Sequence, residues 1–364
     1  MPQINTNFNY EVVVTDVINS GLYKGLESSG IYDRVYSYKN DPLKSRFQEF
    51  YNNWQTALCS WESLLGITTC RLIFLDNKVQ FNAVAGPCEG ISLIGINSKV
   101  ITKTDGYFTN VNFHTKRTKL KYLVEAENTF YNSIPSLMAD FCIGFVIAHE
   151  FGHIIQSSSA KATIVKREYS GSVPAFKMSD HILEFDADWR GACHLVGTSL
   201  DYWQYCKRKT NQSLEVIISM AVASVLFSFE ELIGFPQEFY LAQTSHPHHS
   251  VRIRYILNFL KALYVSNVPK QDLDWELILD RAFDIHREFR ELNGNCTTSV
   301  YQNITSEKSD EIDRYIFTLS QYAKGTPNLC INRPGLPNIT YEMIESLIQK
   351  MPKYTNIDMT TFIK

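Results

Sequence analysis

Between residues 41 and 66, apolar side chains fall at Leu43, Phe47, Phe50, Tyr51, Trp54, Leu58, Trp61 and Leu65. This is the spacing of one buried helical face. The period then shortens. Arg71-Leu72-Ile73-Phe74-Leu75, the turn residues Asp76-Asn77-Lys78 and then Val79-Gln80-Phe81 predict a hairpin, and Ile91 to Ile96 predict a further short strand. From about residue 118 helical periodicity resumes almost to the end. It predicts helices over 118–133, 136–158, 180–198, 212–233, 250–265, 272–292, 306–322 and 340–350, with a loop where Pro and Gly cluster at 324–337. A small mixed or antiparallel sheet early in the chain, packed against many helices, is an α+β fold that is predominantly helical.

The longest uncharged apolar run, Val216 to Phe229, has 14 residues and is interrupted by Ser219, Ser224 and Ser228. A membrane span needs roughly 20, so the run predicts a central core helix, with a re-entrant or interfacial segment as the alternative. Composition agrees with a globular chain: 45% of residues are hydrophobic and 20% charged. Lys plus Arg number 35 against 38 Asp plus Glu, and that balance argues against a nucleic-acid partner, which would need a basic face. The start of the chain shows no basic segment followed by an apolar one, and the eight cysteines form no C-x-x-C pair. Reduced thiols and a cytoplasmic location are expected.

The chemistry-bearing segment is His149-Glu150-Phe151-Gly152-His153, an H-E-x-x-H motif inside an apolar helical run. Residues i and i+4 share a helix face, so both imidazoles can reach one metal ion. Glu150 would then stand beside the open position of that metal, as a base for water. Chance yields such a motif in about one chain per hundred of this composition. A buried helix with hydrogen-bonded histidines is the bland alternative. A second helix carries Glu184-Phe185-Asp186-Ala187-Asp188-Trp189-Arg190-Gly191-Ala192, with Ser179 or Asp180 as its expected N-cap. Glu184 and Asp188 are four apart on one face. Glu184 suits a third ligand, and Asp188 an acceptor for the far ring nitrogen of a ligand histidine. The bland alternative here is a solvated acidic face. Two neutral imidazoles and one carboxylate leave Zn²⁺ a net positive charge and hence Lewis acidity, which favours a catalytic over a structural site. A third element, Ser245-His246-Pro247-His248-His249-Ser250, reads as a rigid loop before a helix. Its histidines could form a metal tract, stabilise an oxyanion or form a plain exposed turn.

In this order the three segments resemble the gluzincin metallopeptidases. The branch they look most like contains the CAAX prenyl proteases, the bacterial heat-shock membrane protease and the soluble minigluzincins. The second segment is similar to that family's E-x-x-A-D-x-x-G helix, and Ser245 to Ile253 to its T/S-H-P-x-x-x-x-R-I. Asn82-Ala83-Val84-Ala85-Gly86-Pro87 is similar to its edge strand. The resemblance covers roughly residues 80–260 and implies a zincin-type core. By that resemblance His149, His153 and Glu184 would hold Zn²⁺ and Glu150 would be the base. Asp188 would support a ligand, and His246 and Arg252 would line the far side. Asn82, Ala83, Val84 and Ala85 would bind substrate backbone by strand addition. The chain would divide into an N-terminal, mostly helical segment (1–70), a peptidase core (71–265) and a C-terminal helical extension (266–364). The soluble layout is also similar to phage-exclusion peptidases, bacterial suicide proteases that act on a translation factor. A protein or peptide substrate is implied, with an activating or inhibitory protein partner as a further possibility. Two other readings stand beside it: a non-catalytic zinc-containing sensor, and a small-molecule amidase.

Overall fold

The computed structural model describes residues 9–19, 34–67, 69–76, 81–88, 91–109, 120–130, 133–158, 176–233, 238–292, 308–326 and 329–332. The helix expected at 340–350 and the turn residues 77–80 lie outside them. The elements in chain order are α1 (Tyr10–Asn19), α2 (Lys44–Leu65), β1 (Cys70–Leu75), β2 (Ala83–Cys88), β3 (Ile91–Asn97) and α3 (Ser98–Thr109). There follow α4 (Lys121–Glu127), α5 (Ile134–Ser158), α6 (Met178–Gln204), α7 (Asn211–Ile233), α8 (His249–Asn267), α9 (Trp275–Leu292), α10 (Ser309–Gly325) and a 3₁₀ turn, Cys330–Asn332. The fold is α+β and predominantly helical. The chain forms two compact units, Met1–Lys103 with Glu150–Pro174, and Thr104–His149 with Ala175–Lys364.

The first unit contains the sheet, in the order β1-β3-β2. β1 runs parallel to β3 and β2 antiparallel to it. This corrects the expected 71–81 hairpin: Phe81 lies outside any strand, and the hairpin that forms joins β2 to β3. The apolar run of β1 is better buried between two neighbours than at the end of a two-stranded ribbon. One of those neighbours is α2, whose Gln55 acts as a strand would. Its Nε2 donates to the Cys70 carbonyl at 3.0 Å, and its Oε1 accepts from the Leu72 N–H at 3.0 Å. The Tyr36 N–H also donates to the Phe74 carbonyl at 2.8 Å. The outer edge of β1 is thus covered, whereas no described strand pairs with the outer edge of β2. α2 ends where Gly66 takes the left-handed conformation at φ 61°. Its Trp61 packs on Phe151, with ring centroids 5.0 Å apart. Behind the sheet, Tyr10, Tyr38, Phe47, Tyr51 and Phe74 form one aromatic cluster.

The second unit is helical. Two helices, Ile134–Ser158, which continues into the first unit from Glu150, and Asn211–Leu232, are long and apolar enough to cross a membrane. The protein buries 78% and 94% of their most apolar stretches, as core helices are buried. The serines of α7 fit that core because each hydroxyl donates back one turn: Ser219 to Glu215, Ser224 to Met220 and Ser228 to Ser224. α4 is shorter than the expected 118–133. α6 begins at Met178 after Lys177, with no side-chain cap, and Asp180 sits in its first turn rather than at its N-cap. α3 has no counterpart among the expected helices. The described cysteines are free thiols.

Candidate metal centre

α5 carries the H-E-x-x-H motif as a regular helix, so His149 and His153 lie one turn apart. α6 is held close to it by a glycine. A Cβ at Gly191 would meet the Phe145 ring at 2.6 Å. Phe145 is one turn before His149, and Gly191 lies three residues after Asp188. The close approach therefore sets Asp188 and Glu184 against the motif.

His149, His153 and Glu184 are buried, and each offers one ligand atom within 4.8 Å of the others. This group could hold a metal ion. His149 Nε2 lies 3.6 Å from Glu184 Oε2, near the edge length of about 3.4 Å for a tetrahedron with 2.1 Å bonds. Both histidines are also set in the right tautomer. His149 Nδ1 is 2.8 Å from Asp188 Oδ1, and His153 Nδ1 is 2.9 Å from Gln156 Oε1. Oxygens of this kind accept, so each Nδ1 donates and each Nε2 keeps its lone pair for a ligand bond. The donor set of two imidazoles and one carboxylate fits Zn²⁺.

Asp188 is fully buried and accepts four hydrogen bonds. Arg252 donates through Nε and a terminal nitrogen at 2.8 Å each, Tyr255 through its hydroxyl at 2.6 Å and His149 at 2.8 Å. Burial alone would raise its carboxyl. The Arg252 and His149 beside it outweigh burial and hold it down at about 2. Burial would likewise lower Arg252, but Asp188 and Glu184 push it well above its usual range. Burial and then the Asp188 charge raise the Tyr255 phenol. Glu184 is paired by charge with Arg252 at 3.3 Å, and the Nε2 atoms of His149 and His246 lie 3.6 and 3.7 Å from its carboxylate.

No protein-family profile, curated protein or solved structure matches this chain.

The structure therefore speaks through its own geometry. It brings together His149, His153, Glu184, Asp188 and Arg252, and sets His246 Nε2 beside Glu184. Glu150 is buried between the two histidines in sequence. The other loop histidines do different work. His248 caps α8, its Nδ1 accepting from the Ser250 N–H at 3.1 Å, and the His249 ring lies against it, tilted by 36° with centroids 3.8 Å apart. Asn82 precedes β2 and gives its carbonyl to the Asn97 N–H, while Ala83, Val84 and Ala85 lie in that edge strand. Tyr255 was not expected from the sequence. Its signal was the spacing Arg252-x-x-Tyr255, one turn on one face. The solvated acidic face considered for α6 is excluded, since His181, Glu184, Asp186 and Asp188 are all buried.

Proposed function

We propose that this protein is a zinc-dependent endopeptidase. The observation that carries the reading is the buried His149–His153–Glu184 group, with Asp188 fixing a ligand histidine and a glutamate following that histidine in the chain. Bound there, Zn²⁺ supplies Lewis acidity that activates water and polarises a carbonyl. Glu150 accepts the proton of the attacking water and returns it to the leaving amine. His246, whose Nδ1 is 2.9 Å from Ser245 Oγ, presents Nε2 as a donor to the developing oxyanion. The outer edge of β2, with which no described strand pairs, suits an extended peptide, which supports a polypeptide rather than a small amide as substrate. A regulated defence protease remains the biological setting that the motif resemblance suggests, with the cytoplasm as its place of action.

One observation favours a second reading. His246 Nε2, 3.7 Å from Glu184 Oε1, would close the coordination shell if it swung onto the metal, which would make the site structural. The test is Glu150→Gln. In a peptidase it keeps one metal per chain and loses at least about 10²-fold of peptide cleavage. Co²⁺-loaded protein would also change its visible spectrum on adding a hydroxamate. Full cleavage by the variant, or a Co²⁺ spectrum indifferent to added ligand, would reject the proposal.

A further inference from the structure

α6 carries two interleaved sets of buried polar residues. Glu184 and Asp188 contact His149 and Arg252. His181 and Asp186 contact the last described elements of the chain. Asp186 accepts the backbone N–H groups of Cys330 and Ile331 at 2.8 and 2.9 Å. His181 Nε2 lies 2.8 Å from the Thr244 carbonyl, and its Nδ1 lies 2.7 Å from the Tyr315 hydroxyl on α10. A carbonyl only accepts, so Nε2 carries the proton, and Nδ1 accepts from Tyr315. Both ring nitrogens are engaged, so Thr244 and Tyr315 together fix the orientation of the ring.

Thr244 passes this order along the loop. Its hydroxyl donates to the His246 carbonyl at 2.7 Å, and Ser245 Oγ is 2.9 Å from His246 Nδ1. The chain of contacts ends at His246 Nε2, beside Glu184. α10 itself is held on α8 by Asp313, which accepts from Nε and one terminal nitrogen of Arg254 at 3.0 Å each, two residues beyond Arg252. Positions 181, 186 and 254 thus bind the C-terminal segment, while positions 184, 188 and 252 belong to the metal centre.

We propose that His181 and Tyr315 are positioning residues for the site: α10, through this pair, holds the loop that carries His246. The inference rests on the peptidase reading for its purpose, and it assigns the C-terminal extension a part in the site.

The test compares hydrogen exchange across residues 239–248 in the full-length protein and in His181→Ala, His181→Gln and Tyr315→Phe, with zinc content measured in parallel. Tyr315→Phe removes one hydroxyl and should speed exchange of the loop about threefold to tenfold, with α5 unchanged. His181→Ala should speed it more. The amide of His181→Gln can donate to Thr244 and accept from Tyr315, so it should restore exchange to within about twofold. Zinc should stay at the wild-type level in all three. Unaltered loop exchange in Tyr315→Phe, or a folded His181→Gln that exchanges like the alanine variant, would overturn the proposal. If His181→Ala does not fold, those two variants decide. A wild-type protein that binds no zinc would sink the peptidase reading, while the exchange comparison would still report on the pair.

Discussion

Asp186 and Asp188 sit two residues apart on one helix, both buried, yet they are satisfied by different kinds of donor. Asp186 takes two backbone N–H groups from the 3₁₀ turn at Cys330–Asn332. Asp188 takes side-chain donors from Arg252, Tyr255 and His149. A carboxylate bound to backbone fixes the path of a chain. One bound to an arginine and an imidazole holds a charge beside a histidine and orients its ring. Burial alone does not separate structural from functional carboxylates; the identity of the donors does.

The contrast can be broken by substitution. Asp188→Ala leaves Arg252 without its bidentate partner and should cost about 3–5 kcal/mol in denaturant unfolding. It should also weaken zinc binding roughly 10- to 100-fold. Asp186→Ala strands two N–H groups and should cost about 2 kcal/mol, with zinc affinity within about twofold of wild type. Equal loss of zinc in both variants would erase the distinction. Tyr255→Phe sharpens it. The ring stays packed on Phe185 at 5.0 Å and Phe259 at 5.4 Å, so only one donor to Asp188 is lost. The expected cost is about 1 kcal/mol, read as a shift of the urea midpoint with an unchanged slope.

Acid provides the gentlest probe. Burial, then the neighbouring His248, push His249 down to about 3. The unfolded chain takes up this proton first, so its contribution to stability is full above pH 6.5 and is lost as pH falls toward 3. The Asp188 contribution is lost only between 3.8 and about 2. His249→Asn should therefore flatten stability against pH in the upper window and leave the lower one. An unchanged upper slope would mean that another group sets it.

Much of the site was legible in the sequence because its spacing is local. His149 and His153 are one turn apart, as are Glu184 and Asp188, and helical periodicity alone places each pair on a common face. Gly191 stood in the same segment, although its reason, the Phe145 ring, shows only in three dimensions. The contacts of His181 and Asp186 span 134 to 145 residues, and no periodicity records such a pairing. The strand pairing differs from the expected hairpin for a related reason. A turn signal marks where a strand ends, not which strand lies beside it, and β1 pairs with β3 across the intervening β2. α3 has no counterpart among the expected helices because the polar Thr104 stands in the middle of its buried face, between Val100, Ile101 and Tyr107, Phe108.

The most direct test of the account is metal stoichiometry in purified wild-type protein and in Glu184→Gln, by elemental analysis and competitive zinc titration. The account predicts one Zn²⁺ per wild-type chain and at least a tenfold weaker affinity in the folded variant. A wild-type chain without zinc, or a variant that binds it equally well, would contradict it.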